Sequence, residues 1–269
     1  MSVSYPETAD TKIEEISQPQ EYRFIEDFYD LSTEDHFWFA WRFRSFVEQL
    51  RSLRVEVDKP LEVLDVGSGI GTLRRQIERA TEWTVDITDL DRSALEKALP
   101  GRGRIYYYDV TEQKPDLHEK YDAIVLFDVL EHIKETRGFL DAILYHLKPG
   151  GLVFLNVPAL MVLFSRYDEV QGHYRRYDIA GLKREFEGLP VEILDARYWG
   201  LGNIPPLIVR RFWLKWFGSG KTDEQIWREG FSASSGIVNQ AFLTLMKAET
   251  FITKRPFLGS SILMAVRKI

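Results

Sequence analysis

The amino-acid sequence predicts an α/β fold built around a parallel sheet. Short apolar runs rich in β-branched residues, such as residues 61–66 and 121–126, have the length and composition of buried parallel strands. The first run ends at a glycine-rich turn, and a helix-like segment at residues 73–79 follows it. A chain of 269 residues fits one enlarged α/β domain, or one such domain with a substantial insertion.

Seven segments are predicted as strands of this sheet. They are residues 61–66, 84–88, 104–108, 121–126, 152–157, 191–198 and 260–267. The sequence Leu-Lys-Pro-Gly-Gly at residues 147–151 predicts a turn into the fifth strand. Ligands of open parallel sheets bind at the carboxyl ends of the strands, so the residues that follow each strand are the first candidates for a site.

The turn after the first strand has the pattern of a ligand-binding loop. Gly67, Gly69 and Gly71 let backbone N–H groups and the positive end of the next helix approach an anionic or polar ligand. An ordinary tight turn between a strand and a helix rarely needs three glycines. A dinucleotide loop would carry its last glycine at Thr72, and Asp65 would repel a pyrophosphate. A cofactor with an ammonium group and no phosphate therefore fits this loop better than NAD or FAD.

These motifs resemble those of a known family. Residues 64–71 are similar to the first motif of the class I S-adenosylmethionine-dependent methyltransferases. Residues 121–132, with the pattern Y-D-x-I-x-x-x-D-V-L-E-H, resemble the small-molecule branch of that family, which includes quinone-type O-methyltransferases. The resemblance implies a Rossmann-like, seven-stranded, mostly parallel sheet formed by residues 57–200 and 260–269. It also implies S-adenosyl-L-methionine as the cofactor and S-adenosyl-L-homocysteine as its product.

The resemblance further implies which residues bind the cofactor. An acidic residue at the end of the second strand would hold both ribose hydroxyls, and Asp89 is at the matching position. Asp91 is the near alternative, although it also suits the N-cap of a helix that begins near Arg92. Asp109 would accept a hydrogen bond from the adenine amino group, or would be an ordinary turn residue. The expected cofactor-binding residues of the core are Asp65, Gly67, Ser68, Gly69, Gly71, Asp89, Leu90, Asp109, Val110, Phe127 and Asp128.

A helical segment at residues 21–56 precedes the core and contains His-Phe-Trp-Phe-Ala-Trp-Arg at residues 36–42. The resemblance implies a lid that closes over the cofactor. In that arrangement Trp38 would cover the adenosine or the acceptor, and Arg42 would pair with the carboxylate of the cofactor. The alternative is an apolar helix face packed on the sheet. Residues 1–20 are expected to be a flexible tail without the features of a signal peptide.

A segment after the fifth strand is expected to line the entrance of the acceptor site. Within the string G-H-Y-R-R-Y at residues 172–177, His173 is a candidate general base, because imidazole titrates near neutrality. His132 is the second candidate for that role. The expected acceptor-binding residues are Tyr174, Arg175 and Tyr177. The alternative is that the His and Arg side chains of this string cap carbonyl groups, pair with Asp168 or Glu169 and so fix the loop.

Residues 201–259 are predicted to form a helical insertion that shapes an acceptor pocket or makes a dimer contact. Its basic and aromatic run, residues 210–217, either rests on a membrane surface or packs over the core with its cations in solvent. No apolar run of the sequence reaches the roughly 20 residues needed to span a bilayer.

The composition limits the function classes. A net charge of −6 argues against a nucleic-acid substrate, and the lack of cysteine excludes disulfides and thiolate nucleophiles. The 5 histidines are too scattered to indicate a metal site, although a magnesium-dependent variant that uses Asp128 and Glu131 stays open. We therefore predict a cytoplasmic methyltransferase that acts on a small organic acceptor, with oxygen as the expected methylated atom. A cofactor-binding module without catalysis and a macromolecular acceptor such as tRNA are the alternatives.

Overall fold

The computed structural model describes residues 12–18, 34–217, 220–226 and 236–269. The strands of this part of the chain are β1 (Ile13–Glu15), β2 (Glu62–Val66), β3 (Thr84–Asp89), β4 (Ile105–Tyr107), β5 (Tyr121–Phe127), β6 (Leu147–Pro158), β7 (Val191–Trp199) and β8 (Ser261–Lys268). They form one sheet in the order β1-β4-β3-β2-β5-β6-β8-β7. Neighbours from β1 to β6 are parallel, whereas β8 is antiparallel to both β6 and β7. The expected mostly parallel α/β fold is confirmed.

Helices cover both faces of this sheet. In the described ranges they are α1 (Phe37–Leu53), α2 (Thr72–Ala80), α3 (Arg92–Glu96), α4 (Thr136–His146), α5 (Arg166–Val170), α6 (Ile179–Arg184), α7 (Ile204–Phe217) and α8 (Gly236–Ile252). None of the described helices is both long and apolar enough to cross a membrane. The predicted insertion thus contributes two long helices, α7 and α8, between β7 and β8.

Helix α1 is fixed to the sheet by its aromatic side chains. Trp41 and Phe46 are fully buried, and the ring of Phe46 meets Phe127 and Phe154 edge-on, with centroids 5.2 and 5.1 Å apart. Burial of one such side chain stabilises the fold by roughly 1.5–3 kcal/mol, and each aromatic pair adds about 0.5–1.5 kcal/mol. The body of α1 is therefore packed against the sheet, in agreement with the alternative to a lid. The first turn of α1 faces the site described below.

The structure corrects the expected tail at residues 1–20 for the part that it describes, residues 12–18. Within it, Ile13–Glu15 pairs in parallel with Ile105–Tyr107 as an eighth strand, and the N–H groups of Ile16 and Ser17 donate to the carbonyl of Tyr107. Without β1, strand β4 would expose a row of unpaired backbone groups at the sheet edge. A strand of three residues is too short to give a periodic signal in the sequence, which is why the pattern missed it.

The structure also corrects the predicted turn at residues 147–151. This segment belongs to β6, and Leu147 pairs with Tyr121 before the register shifts towards Ala123. Leu147 is fully buried, so the strand already contributes to the core ahead of the two glycines. The residues between these two paired positions are extra on the β6 side and interrupt its regular pairing with β5. Because Pro-Gly-Gly is also typical of turns, the sequence pattern indicated a turn here.

Candidate active site

A cavity of about 610 Å³ lies at the carboxyl ends of the central strands. It lies where β2 and β5 are neighbours, the point at which the strand order changes direction and where open α/β sheets bind ligands. Its volume falls within the range of about 300–1,000 Å³ that is typical of small-molecule sites. The walls are the glycine loop, the first turn of α1, and residues of α7 and α8. Two segments from outside the core therefore close the site.

The glycine loop connects β2 to α2 through three residues with positive φ. The φ angles are 71° at Gly67, 54° at Gly69 and 75° at Gly71. A Cβ atom at Gly67 would lie 2.6 Å from Cγ2 of Val129, so a larger residue would collide with the opposite wall. Gly67 and Gly69 line the cavity, and Gly71 is the N-cap residue of α2. At these two glycines the loop exposes its backbone to the cavity, and Ser68 and Ile70 line the cavity between and after them.

Asp65 places a buried carboxyl group at the bottom of the cavity. Its side chain is 2 % exposed, and among the described residues Oδ2 has no hydrogen-bond partner. Burial raises the pKa of Asp65 to about 7, an effect that Arg42 and Arg74 oppose and Asp89 reinforces. A buried acceptor without a partner is costly. The ammonium group of a ligand would supply the missing donor, so the residues present fit the cofactor that the sequence implies.

Asp89 and Asp91 have distinct positions at the end of β3. Asp89 lines the cavity and accepts hydrogen bonds from the N–H groups of Gly69 at 2.7 Å and Asp91 at 2.8 Å. Burial raises the pKa of Asp89 to about 6, and these backbone hydrogen bonds limit the rise. Asp91 instead caps α3, where its side chain accepts from the N–H groups of Ser93 and Ala94. Of the two acids, Asp89 therefore lines the cavity, whereas Asp91 fixes the start of a helix.

The next strand end also reaches the cavity. Asp109 and Val110 both line it, as does Leu90 after β3. The Oδ1 atom of Asp109 accepts from the N–H of Thr111 at 2.9 Å, so the residue fixes its turn as well as facing the cavity. The two roles expected for Asp109 are thus compatible, because its second carboxylate oxygen stays available to a ligand.

A chain of polar contacts joins α1 to the ends of three strands. Arg42 donates from Nη1 to Oδ2 of Asp128 at 2.6 Å, and Asn156 donates from Nδ2 to Oδ1 of Asp128 at 2.6 Å. The Nε1 of Trp199 donates to Oδ1 of Asn156 at 2.8 Å, and the ring of Trp38 lies 4.9 Å from that of Trp199. Arg42 therefore has a protein partner in this structure, where the sequence expected the carboxylate of the cofactor.

Asp128, which lies at the centre of these contacts, has an unusual backbone conformation. Its φ angle is 60°, a value that few residues other than glycine adopt. The N–H of Asp128 donates to the carbonyl of Asn156 at 2.9 Å. Both the cofactor-binding candidates Phe127 and Asp128 line the cavity as expected.

Residues after β5 and β6 bring a compact cluster of titratable groups to the cavity. Glu131, His132 and His173 each offer one atom within 4.8 Å of the others, close enough to share a metal ion. The rings of His132 and His173 meet edge-on at 4.6 Å, and Nε2 of His173 lies 4.0 Å from Oε1 of Glu131. The sequence left open a magnesium site at Asp128 and Glu131 but did not indicate this group of three, because the chain separates His173 from the other two by about forty residues.

Burial sets the protonation of this cluster. It raises the pKa of Glu131 well above its usual range, an effect that Asp128 strengthens. Burial, together with a smaller electrostatic effect of His173, lowers the pKa of His132 to about 3. Both carboxylate oxygens of Glu131 lack a hydrogen-bond partner within the described residues. Glu131 is thus the group of this cluster that sequence reasoning left without a catalytic role, although the D-V-L-E-H string contained it.

His173 is held by the acid expected from the loop-fixing alternative. Its Nδ1 lies 3.4 Å from Oδ1 of Asp168, and Nε of Arg176 donates to the same oxygen at 2.6 Å. Although burial opposes the shift, the hydrogen bonds from His173 and Arg176 hold the pKa of Asp168 well below its usual range. His173 and Arg176 nevertheless line the cavity. The loop-fixing contacts therefore orient His173 at the site instead of removing it.

The structure corrects the expectation for the three acceptor-binding residues. Tyr174 is 56 % exposed, Arg175 donates from Nη2 to the carbonyl of Lys134, and Tyr177 is buried in the core. None of the three lines the cavity. The backbone of Tyr174 is tied to the carbonyl of Glu131, which turns the tyrosine ring to the surface while His173 points inward.

Residues of the late insertion line the cavity instead of these three. The cavity is lined by Asn203, Pro206, Leu207 and Arg210 of the α7 region and by Phe242 of α8. Sequence reasoning assigned an acceptor pocket to this insertion without identifying the residues, because helix periodicity does not tell which face turns inward.

Comparison with known proteins gives two kinds of relative. The family described as methyltransferase domain matches residues 38–194. Among curated proteins, ubiquinone biosynthesis O-methyltransferase of Rickettsia canadensis is 26 % identical over 119 residues, which are 43 % of this chain and 50 % of the relative. This chain thus spans about half the length of that relative.

Solved structures share the fold at low identity. A putative sarcosine dimethylglycine methyltransferase from Galdieria sulphuraria is 13 % identical with a TM-score of 0.55, over 84 % of this chain and 85 % of the other. Phosphoethanolamine N-methyltransferase 2 of Haemonchus contortus, solved with S-adenosyl-L-methionine, is 18 % identical with a TM-score of 0.52, over 84 % and 52 % of the two chains. At these identities the likeness concerns the fold alone.

Proposed function

The chain belongs to the methyltransferase domain family, and from this premise we propose that it moves a methyl group from S-adenosyl-L-methionine to a hydroxyl oxygen of a small organic acceptor. The observation that carries the proposal is the buried Asp65 carboxyl, whose Oδ2 lacks a partner among the described residues and which lies next to the glycine loop. An ammonium group beside a ribose, without a pyrophosphate, matches this arrangement of acids and backbone.

The cofactor half of the site acts by binding and orientation. Asp65 would accept from the ammonium group, Asp89 from the ribose hydroxyls and Asp109 from the adenine amino group, since all three residues line the cavity. The cofactor supplies an electrophilic methyl group on a sulfonium, with a neutral thioether as the leaving group. The backbone of Gly67–Gly69 fixes its depth in the cavity, which aligns the reacting atoms for in-line displacement.

The acceptor half holds the groups that take up a proton. Methylation of a hydroxyl releases one proton, and a base within hydrogen-bond reach of that oxygen accelerates the step. His132, with its pKa lowered to about 3, stays neutral at pH 7 and is a weak proton acceptor. Glu131, whose pKa is raised by burial, and the adjacent His173 are better suited. We assign the proton transfer to this pair, with His132 as a neutral contact to the acceptor.

The same three residues also support a second arrangement, in which they bind a divalent cation. A neutral His132 and an unpartnered Glu131 are suitable ligands for a divalent cation, which would fix an acceptor oxygen and increase its acidity. A chelator distinguishes the two arrangements. Turnover that is unchanged in EDTA favours the base, whereas turnover lost in EDTA and restored by magnesium favours the cation.

The acceptor is proposed to carry its hydroxyl on an aromatic ring. The cavity wall includes the rings of Phe37, Trp38, Phe127, Phe139 and Phe242, which suit a flat apolar molecule. The name of the Rickettsia relative, an O-methyltransferase of ubiquinone biosynthesis, supports oxygen as the methylated atom. A cytoplasmic location stays a prediction.

Calorimetric titration with S-adenosylmethionine, S-adenosylhomocysteine and NAD tests the proposal. We expect micromolar binding of the two adenosyl compounds and none of NAD, with affinity lost in Asp65→Asn and retained in the exposed control Asp116→Asn. Binding of NAD alone would overturn the cofactor assignment. Binding without methylation of any phenol, catechol or hydroquinone would favour a non-catalytic module. Methylation of tRNA, with binding that weakens steeply in salt, would favour a macromolecular acceptor.

A further inference from the structure

Helix α7 presents an apolar face to solvent on the side opposite the cavity. Val209, Phe212, Trp213, Trp216 and Phe217 are between 53 and 73 % exposed. Their spacing of three and four residues places them on one stripe of the helix. An amphipathic helix of a globular protein normally turns such a stripe inward, whereas here the described residues leave it open to solvent.

The opposite face of α7 is already occupied by the protein. Pro206, Leu207 and Arg210 line the cavity, and Leu214 is buried. The guanidinium of Arg210 lies 3.9 Å from the centroid of the Tyr167 ring on α5, which fixes the rotation of the helix about its axis. The exposed stripe is therefore the outer surface of an element held firmly in place.

The apolar surface continues onto a neighbouring turn. Met161 and Val162, in the 3-10 turn Met161–Leu163, are 55 and 67 % exposed, and this turn contacts α7. Arg211 of α7 donates from its guanidinium to the carbonyl of Val162, which joins the two segments. A surface that spans two chain segments is a docking surface of the fold and not an isolated exposed side chain.

The charge of α7 identifies the partner. Besides Arg210, which lines the cavity, the helix contains Arg211 and Lys215 and no acidic residue, whereas the whole chain has a net charge of −6. Tryptophan and phenylalanine next to Arg and Lys are the composition that favours the interface of an anionic bilayer. A second copy of the chain fits less well, because a twofold contact through this face would bring the Arg211 and Lys215 side chains of both copies together.

We propose that the outer face of α7, with Met161 and Val162, docks the protein on an anionic lipid surface. The aromatic rings enter the headgroup region, and Arg211 and Lys215 pair with lipid phosphates. Because the inner face of the same helix walls the cavity, docking places the site next to the bilayer, where an acceptor that partitions into lipid is concentrated. The docking itself does not depend on the proposed methyl transfer.

Vesicle co-sedimentation of the full chain tests the proposal. Vesicles of phosphatidylcholine with about 30 % phosphatidylglycerol are compared with pure phosphatidylcholine at about 0.1 M salt, where screening acts over roughly 10 Å. We expect binding to the anionic vesicles only, and a loss in higher salt. Since each cation near the surface contributes about 1 kcal/mol, Lys215→Gln is expected to weaken binding by about fivefold.

A matched pair of variants tests whether vesicle binding depends on this face of α7 or on any exposed aromatic side chain. Phe212→Ser, on the proposed face, is expected to weaken vesicle binding by about tenfold, a loss of about 1.4 kcal/mol. Phe257→Ser, at an 85 % exposed position outside α7, is expected to bind as the wild type does. Equal thermal unfolding of both variants serves as the folding control.

Three results would overturn the proposal. They are wild-type protein that does not bind anionic vesicles, equal loss in the two Phe variants, and a wild-type dimer that Phe212→Ser dissociates without any vesicle binding. The last result would assign the face to a second copy of the chain. Cofactor titration is unaffected by any of these outcomes, so the failure of the docking proposal is distinguishable from the failure of the proposed function.

Discussion

The two halves of the cavity are built in different ways. The cofactor half consists of strand ends and one loop of the core, so its residues follow one another closely along the chain, from Asp65 to Val110. The acceptor half joins the D-V-L-E-H turn to His173, Arg176 and the helices of a late insertion. Backbone geometry fixes the first half, whereas buried charges and side-chain contacts fix the second.

This difference has a physical consequence for how each half fails. A glycine loop with positive φ tolerates no Cβ, so a single substitution changes the shape of the cofactor half. The acceptor half depends on the protonation of Glu131 and on the ion pair between Asp168 and Arg176, so substitutions there alter chemistry before they alter shape.

The largest effect is expected at Gly67. In Gly67→Val the φ of 71° and the collision with Val129 act together and lower the free energy of unfolding by about 2–4 kcal/mol. Cofactor binding falls by at least about 100-fold, measured by calorimetry at a temperature where the variant is folded. In the control Gly138→Ala a Cβ meets no atom within 4 Å, so cofactor affinity is unchanged and helix α4 gains up to about 1 kcal/mol. Wild-type affinity in Gly67→Val would contradict the role of the loop.

The second effect tests the base in the acceptor half. Glu131→Gln keeps the shape of the side chain and removes its charge, and turnover is expected to fall by about 10²–10⁴-fold with unchanged cofactor affinity. Because burial raises the pKa of Glu131, the ionised form destabilises the fold, so the variant is also expected to have a higher Tm above neutral pH. Glu135→Gln, exposed four residues later, is the control. Retained turnover in Glu131→Gln, with loss in His173→Asn, would transfer the role to His173 alone.

The third effect is a pH dependence confined to the cofactor half. Asp65 must be ionised to hold an ammonium group, and its pKa in the ligand-free protein is about 7. The affinity for S-adenosylhomocysteine is therefore expected to rise by up to about tenfold per pH unit between roughly pH 5.5 and 7, and to lose this slope in Asp65→Asn. A flat wild-type profile would contradict the contact.

The same carboxyl predicts how stability changes with pH. The pKa of Asp65 is raised on folding from 3.8 to about 7, so between these values the folded state binds more protons than the unfolded state. The contribution of Asp65 to stability consequently falls as pH rises from about 4 to about 7 and then stays constant, an effect on the order of 2–4 kcal/mol. Asp65→Asn removes this slope in thermal unfolding of the ligand-free protein.

The fourth effect concerns the contact that joins the two halves. Arg42 and Asp128 are 2.6 Å apart, and a double-mutant cycle of Arg42→Met and Asp128→Asn is expected to give a coupling energy of about 1.5–3 kcal/mol. Cofactor affinity in Arg42→Met falls by about tenfold if Arg42 also reaches the cofactor. Arg44→Met, exposed on the same helix, is expected to change neither quantity. Additive stabilities would show that the ion pair contributes nothing.

The smallest effect is expected at Tyr174. Its ring is exposed and lies outside the cavity wall, so Tyr174→Ala is expected to change kcat/KM by less than about twofold. A larger loss would return this residue to the acceptor half and show that the segment after β6 rearranges when the acceptor binds.

The sequence alone was enough to predict the fold class and to predict which strand ends and which loop line the cavity. Gly67, Gly69 and Asp89 were predictable because residues that follow parallel strands meet at one edge of the sheet. The short edge strand β1 was not predictable, since three residues carry no periodic signal.

The residues that line the proposed acceptor half could not be predicted in this way, because their positions depend on the tertiary structure. In the folded chain His173 lies next to Glu131 and His132, the Tyr174 ring is exposed to solvent, and one particular face of α7 lines the cavity. These positions depend on contacts between residues far apart in the chain, such as Arg176 with Asp168 and Arg210 with Tyr167. Local spacing predicts which residues share a helix face or a strand end, but the direction in which a segment turns is set by the surfaces it packs against.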